Sequence, residues 1–457
     1  MIIALLLTSC NRQEEVRILF TGDILLSRNV RQEYRHRGTS PFENMQELFS
    51  EADVVIGNLE GAVGEVADSV RDKNSLLFDI DKGDIGMLYE AGFGILTIEN
   101  NHTYDLGEEG RDSTVVSSQK RGLAAVHSLN SPYFFTVKGV VVSIIAVNTI
   151  SNKDYTARGI PSIELMQQLR LAKNLSNVVI VSIHWGSELV DWTVKQQRSI
   201  AEWLVQNGAD IIIGSHPHVI QQPEIVNGKP VFFSLGNLLF DQKYDATKEG
   251  LIADIRIRKG KIKCSGILTH TAQNSFYPSV VREIDCGFKV LRTNKLFNIG
   301  DFTLLPVSEN RGVDSKIRLD GYSAGRKVWS SQSIPLVSIE TGKLDGENEY
   351  LFTLEKHYST IDNETDVRPY VYGADKRGIH ALWRGSALAW PLVDAHISTC
   401  DGKTLCVLHR GDSYMNIDKS SQKRRLMGYR WNGFGFSGVI DSIQCSNCND
   451  FYAPYLK

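Results

Sequence analysis

Six short motifs hold the residues of this chain whose types and spacing could do chemistry. They are Thr21-Gly-Asp23, Gly57-Asn58-Leu-Glu60-Gly, Asn100-Asn101-His102-Thr-Tyr-Asp105, His184-Trp-Gly-Ser-Glu188, Gly214-Ser-His216-Pro-His218 and Ser234-Leu-Gly-Asn237-Leu-Leu-Phe240. Carboxylates, amide oxygens and neutral imidazoles make a mixed oxygen and nitrogen donor set that suits divalent manganese, zinc or iron. Two such ions ~3.5–4 Å apart clamp a substrate oxyanion and activate water near neutral pH, which points to hydrolysis or transfer at phosphorus or at a carbonyl. Pro217, between His216 and His218, removes a backbone donor and restricts φ, so both rings are held in set directions, as metal ligands require. Taken singly, each residue has a plainer use. Asp23 caps a loop, Asn101 stabilises a turn, His184 packs beside Trp185 with its ring hydrogen-bonded, and His216 and His218 are loop residues. Occurrence of all six motifs in one chain favours the metal site.

The elements that must position these groups alternate short apolar runs with amphipathic stretches, the pattern of α/β proteins. The spacing predicts strands over 16–21, 54–57, 94–98, 141–147, 178–183, 211–214, 231–235 and 251–257, and helices over 41–52, 83–91, 108–121, 162–174 and 195–207. The last helix carries Ile200, Trp203 and Leu204 on one face, and Gly208 stops it. Three β-branched residues, Ile211 to Ile213, read as a buried strand that Gly214 ends, so that His216 and His218 leave its C-terminal tip. The other motif residues likewise follow strand ends. In open α/β sheets ligands gather outside the carboxyl ends of the strands, so residues distant in sequence meet at one rim.

Taken in order, the motifs resemble those of the CapA family of bacterial poly-γ-glutamate capsule synthesis proteins, whose domain looks like a calcineurin-type metallophosphoesterase. The resemblance covers about Arg17 to Gln242, extending to Ile257 at most, and implies a metallophosphoesterase-like layered α/β sandwich. Carried over residue by residue, it makes Asp23 a ligand to one metal and puts the Asn58/Glu60 pair where the bridging acidic ligand belongs. Asn101, His184 and His216 serve a second metal, and His218 returns to the first. His102 protonates the leaving group or steadies the oxyanion while Asp105 orients its ring; Glu188 and Asn237 support the ligands from outside. The implied cofactor is one or two divalent ions, Mn, Zn or Fe. Two departures stand out: Leu25 occupies the place of a histidine two residues after the first aspartate, and Asn58 that of an aspartate directly after glycine. A site so altered holds one ion tightly, uses Glu60 in compensation, or binds ligand without turnover.

At 457 residues, with 42% hydrophobic and 23% charged residues, the chain is of soluble globular type, and a prior of ~150 residues per domain suggests two or three domains. A net charge of -3 selects no charged partner. Lysine and arginine are scattered in short clusters such as Lys423-Arg-Arg425, so no nucleic-acid partner is expected. Residues 1–10 read as a lipoprotein-type signal: the apolar run Ile2–Leu7 leads into Leu7-Thr-Ser-Cys10, which resembles a lipobox with Cys10 as the acylated residue. The stretch lacks a basic n-region and is shorter than the ~15–30 residues of an export signal. On this reading the chain is exported and held at the membrane of the cell envelope by lipid.

Six further cysteines, Cys264, Cys286, Cys400, Cys406, Cys445 and Cys448, permit up to three disulfides in an exported protein, with the pairing left open. Cys445-Ser-Asn-Cys448 reads as structural. The expected organisation is the metallophosphoesterase-like domain over 16–260, an extension and linker over 261–325, and an all-β domain over 326–457 with many Gly and Asp turns and aromatics. Those aromatics are expected chiefly in its core. No repeat of fixed period is visible, and Leu344-Asp-Gly-Glu-Asn-Glu reads as an ordinary hairpin turn. Two functions follow. One is a lipid-anchored metal-dependent hydrolase or transferase in the synthesis, release or anchoring of an anionic capsule polymer, with poly-γ-glutamate implied by the resemblance alone. The other is a non-catalytic component of a capsule export apparatus that binds polymer or partner proteins.

Overall fold

Strand residues alternate faces, and in this chain both faces are apolar, so each central strand is buried twice. A computed structural model describes residues 15–66, 76–151, 159–286, 296–310, 315–359, 364–385, 392–410 and 424–439, with 288, 291, 292, 388, 448 and 452. Cys10, Trp390, Lys423 and Cys445 lie outside the described residues.

The N-terminal elements are β1 (Val16–Leu25), α1 (Arg28–Arg37), β2 (Val54–Glu60), α2 (Ile85–Ala91), β3 (Phe93–Thr97), α3 (Gly107–Lys120), β4 (Ala124–Val126), β5 (Tyr133–Val137) and β6 (Val140–Asn148). There follow α4 (Ile163–Leu175), β7 (Val178–His184), α5 (Lys195–Gln206), β8 (Ile211–Ser215), β9 (Lys229–Phe232), β10 (Glu249–Arg258), β11 (Lys261–Thr271) and β12 (Pro278–Ile284). One sheet runs β12-β11-β10-β1-β2-β3-β4 and a second runs from Glu224–Val226 through β9-β8-β7-β6-β5. The second sheet is parallel at its centre with antiparallel strands at both edges, whereas the first is parallel from β1 to its β4 edge and antiparallel from β10 to its β12 edge.

The sheets pack face to face. Ile18 and Phe20 of β1, Ile180 of β7 and Ile211 and Ile213 of β8 share the core between them. The opposite faces are covered by helices: Leu19 and Ile24 meet Val30, Ile85, Leu88 and Val115, while Val179, Val181 and Ile212 meet Leu169, Ile200 and Leu204. The result is a four-layer α/β sandwich, the layered class implied by the motifs. All eight predicted strands and five predicted helices are present, the helix over 41–52 as a 3₁₀ turn running into Gln46–Ser50. The helix α1 was missed because its ten residues include only Val30 and Tyr34 as buried hydrophobic positions. In the sequence such a polar segment reads as loop.

The sheets cross the divisions drawn from sequence at 260 and 325. β11 and β12 extend the first sheet, and strands Phe297–Ile299, Phe302–Asn310, Ser315–Ser323 and Arg326–Ser330 form a single antiparallel meander. Two more four-stranded meanders follow, over 336–384 and 392–439. This recurrence of one topology has no counterpart in residue spacing, because a meander needs alternation and turns but not identical side chains. Trp329, Tyr429 and Trp431 are buried there, whereas Phe434 is 89% exposed. Asp345 accepts bonds from the backbone of Glu347 and Asn348 and from the Tyr350 hydroxyl, as a hairpin turn does. The β-rich part docks on α4, where Arg170 pairs with Asp394 at 2.6 Å and Glu340 at 3.4 Å. Cys406 and Cys448 form a disulfide, so the Cys445-Ser-Asn-Cys448 segment is structural through Cys448; Cys400 is also disulfide-bonded.

Candidate metal centre

Parallel pairing sets the register that assembles the site. Asp23 lies opposite Asn58 and Leu25 opposite Glu60 across β1 and β2, and Ser215 lies opposite His184 across β8 and β7. Asn237 pairs with Asp23 on the other side of β1. Two glycines permit the crowding. A Cβ on Gly22 would overlap the Gly236 carbonyl, and one on Gly214 the Phe233 carbonyl. Beyond β8 the backbone is held in the left-handed region at His216 (φ 96°) and His218 (φ 59°), conformations that non-glycine residues adopt at a cost of about 1–3 kcal/mol each. From there both imidazoles lie against the strand-end cluster of Asp23 and His184.

Nine of the residues picked from the motifs come together. Asn58 Nδ2 donates to Asp23 Oδ1 at 2.8 Å, and His218 Nδ1 lies 3.1 Å from Asp23 Oδ2 and 2.9 Å from Asn237 Oδ1. His184 Nδ1 meets Ser215 Oγ at 2.8 Å, which leaves Nε2 facing Asn101 Oδ1 at 2.7 Å and Glu60 Oε1 at 3.9 Å. The His184 and His216 rings are 4.8 Å apart. Ligand atoms of Asp23, Glu60 and His184 all fall within 4.8 Å of one another, as do those of Glu188, His216 and His218. Glu188 is exposed at the rim, while Asp23, Glu60, His184, His216 and His218 are buried.

His102 and Asp105 form the adjacent wall. His102 Nδ1 bonds Asp105 Oδ2 at 2.8 Å, and the ring stacks on Phe78 at 3.8 Å. The same Asp105 oxygen accepts the Phe78 backbone N–H at 2.7 Å, tying ring, carboxylate and stacking partner together. Phe240 continues this wall, 4.5 Å from His218 and 5.9 Å from Phe78 between ring centroids.

Sequence reasoning passed over Ser215 and Asn100. Ser215 fixes the His184 ring. Asn100 Nδ2 donates to the Leu59 carbonyl at 2.8 Å, and its Oδ1 accepts from the His102 backbone at 3.0 Å, linking the second and third motifs. Both sit inside quoted motifs, next to residues that were chosen, but their partners are remote in sequence.

The electrostatics are those of a cation site. Glu60 is fully buried, and neither carboxylate oxygen has a hydrogen-bond partner among the described residues; His216 Nδ1 is likewise orphaned. Leaving a buried acceptor unpaired costs about 1–3 kcal/mol, more for a charged group. Burial, then the neighbouring Asp23 carboxylate, holds the Glu60 carboxyl well above its ordinary range. Burial also keeps His184 neutral, and with help from His218 it lowers His216 to about 4, so both offer lone pairs at neutral pH. His218 goes the other way: although burial opposes its charge, Glu60 and Asp23 raise it to about 9. A proton held within the Glu60, Asp23 and His218 cluster thus takes the place of positive charge that the carboxylates demand. Two carboxylates, the Asn101 amide oxygen and imidazoles fit a divalent metal ion on these grounds.

Residues 17–242 match the family of bacterial capsule synthesis proteins designated PGA_cap. Through this segment, just under half of its length, the chain resembles that family. The PGA biosynthesis protein CapA of Bacillus subtilis strain 168 is 29% identical over 272 residues, covering 55% of this chain and 71% of that protein. The capsule biosynthesis protein CapA of Bacillus anthracis is 30% identical over 268 residues, covering 54% of this chain and 64% of that protein. These likenesses speak for little more than half of the chain. A crystal structure from Staphylococcus aureus, described as a candidate 5′-nucleotidase, overlaps 62% of this chain and 55% of that one at 12% identity with a TM-score of 0.34, too low to carry weight.

Proposed function

We propose that this chain is a member of the capsule synthesis family and a metal-dependent hydrolase or transferase acting on an anionic envelope polymer of the poly-γ-glutamate type. The observation that carries the reading is Glu60. A carboxylate with both oxygens unpaired, among Asp23, His184, His216 and His218, is costly without a cation and well used with one. Asp23, Glu60 and His218 would hold one ion, with His184, Asn101 and His216 toward a second. A bound divalent ion supplies Lewis acidity to the substrate oxygen and lowers the pKa of water.

The chain's own residues supply the rest. Ser215 orients His184 and Asn237 orients His218, fixing which ring nitrogen each presents. Asp105 holds His102 through Nδ1, so Nε2 is the atom that delivers a proton to the leaving group. Phe78 and Phe240 make the wall beside His102 and His218 apolar. Lipid attachment at Cys10, and with it a place at the outer face of the membrane among the capsule machinery, is part of the same proposal.

The test is metal analysis joined to hydrolysis of a generic phosphodiester and of poly-γ-glutamate, for the native chain and for His216→Ala. Stoichiometric Mn, Zn or Fe with turnover lost in the variant supports the enzyme. A second reading, a polymer-binding component without turnover, draws on Asn58 and Leu25. Asn58 spends its amide on Asp23, and Leu25 is fully buried in the core on the helix side of the sheet. Metal-free protein that retains polyglutamate would select it.

A further inference from the structure

Two thiols outside the metal centre face each other across the first sheet. In the β11–β12 ladder Gly266 pairs with Ile284, Ile267 with Glu283 and Leu268 with Arg282. Continuing the antiparallel register by two residues places Cys264 opposite Cys286. Beyond that point the chain returns to β11, where Leu291 pairs with Ile262 and Arg292 with Lys261. The pair is therefore bracketed by backbone pairing on both sides.

Residues two apart share a face, so Cys264 lies on the face of Gly266, and Cys286 on that of Ile284. The side chains agree. Cys286 Sγ sits only 3.2 Å from where a Cβ on Gly266 would be, a space open because that residue is glycine. Cys264 is in the core between the sheets and Cys286 packs against it. Directly opposed strand residues have Cα atoms about 4.5–5.5 Å apart, within the ~4.4–6.8 Å that a disulfide spans. Both cysteines are free thiols in this structure, whereas Cys400, Cys406 and Cys448 are bonded.

We propose that Cys264 and Cys286 are a disulfide-forming pair, oxidised by a thiol–disulfide oxidoreductase of the compartment that closes the Cys406–Cys448 bond. Cys286, the more accessible, loses its proton and attacks the catalyst's disulfide, forming a mixed disulfide and releasing one catalyst thiolate. Cys264 then loses its proton, attacks the Cys286 sulfur and expels the second thiolate. Two electrons and two protons leave the pair, and one catalyst disulfide becomes a dithiol. Burial raises both thiols, Cys286 to about 11 and Cys264 further, so little thiolate is present in the folded chain at neutral pH. The product ties down an edge strand whose Val280 and Val281 are exposed, and so guards an edge open to pairing with other chains. None of this depends on the metal site.

The test uses the full chain secreted into an oxidising compartment, with free thiols blocked under denaturing conditions before peptide mapping without reductant. The expected result is a cross-linked species joining the Cys264 and Cys286 peptides, two hydrogens lighter than their sum, with neither cysteine labelled. In Cys264→Ser, Cys286 should become fully labelled. Labelling of both cysteines in the secreted native chain, or a cross-link from either to Cys400, Cys406, Cys445 or Cys448, overturns the proposal. So does an unlabelled Cys286 in the Cys264→Ser variant.

Discussion

Replacing Glu60 by glutamine tests the metal centre through stability alone, with no substrate required. In the metal-free chain the folded state favours a protonated Glu60, so its contribution is complete below the ordinary value of 4.5 and is lost as pH rises through the raised folded value. His218 acts in the same direction, complete below 6.5 and lost as pH climbs through about 9. Chelator-treated protein should therefore lose stability steadily from about pH 5 to pH 9. Glutamine keeps the shape without the charge, so Glu60→Gln should recover about 1–3 kcal/mol at the alkaline end, the penalty of an unsatisfied buried group.

Metal reverses the order. At a hundred times its dissociation constant an ion adds about 2.7 kcal/mol, or roughly 5–10 °C in Tm for a domain of this size. That gain should grow with pH, because binding expels the proton that the coupled Glu60 and His218 hold between them. The assay is thermal melting with chelator and with Mn²⁺ at several pH values. If native and Glu60→Gln chains show equal Mn²⁺-induced shifts, Glu60 does not face a cation and the proposed site is wrong.

Other outcomes follow from the same geometry. Because His216 is neutral in the fold, its contribution is complete above 6.5 and fades toward about 4; His216→Gln should flatten the acid limb of the chelator-treated stability profile. His102→Gln should lower phosphodiester turnover about 10²–10⁴-fold, while Mn²⁺ affinity measured by calorimetry changes little, since the ring bonds Asp105 rather than a ligand. Gly214→Ala sets a methyl group against the Phe233 carbonyl and should cost about 1–3 kcal/mol in urea unfolding, as overpacking does. Arg170→Ala leaves Asp394 and Glu340 without their buried cation and should cost about 3–5 kcal/mol, with proteolysis then cutting first between the α/β sandwich and the β-rich part.

Much of the sandwich was legible because its strands are apolar on both faces and its helices carry one apolar stripe, a local pattern that residue order records. The polar helix α1 escaped for lack of such a stripe. Continuation of the first sheet through β11 and β12 escaped too, since only pairing across the chain distinguishes an added strand from a linker. The meanders over 336–384 and 392–439 were legible as β structure from their turns and aromatics, whereas the one over 297–330 falls mostly in the expected linker, and hydrogen bonding alone groups the strands in fours.

For the site, sequence determined the donor types, their motifs and their placement just past strand ends, because those are properties of short segments. The family resemblance also exposed two unusual positions, Leu25 and Asn58. Tertiary structure decided the rest. Which ring nitrogen is free depends on Ser215 and Asn237, which carboxylate is left without partners depends on the packing of β2 against β1, and the protonation of Glu60, His216 and His218 depends on burial and mutual distance. Those are energies of groups brought together from opposite sheets, and no single segment of the chain carries them.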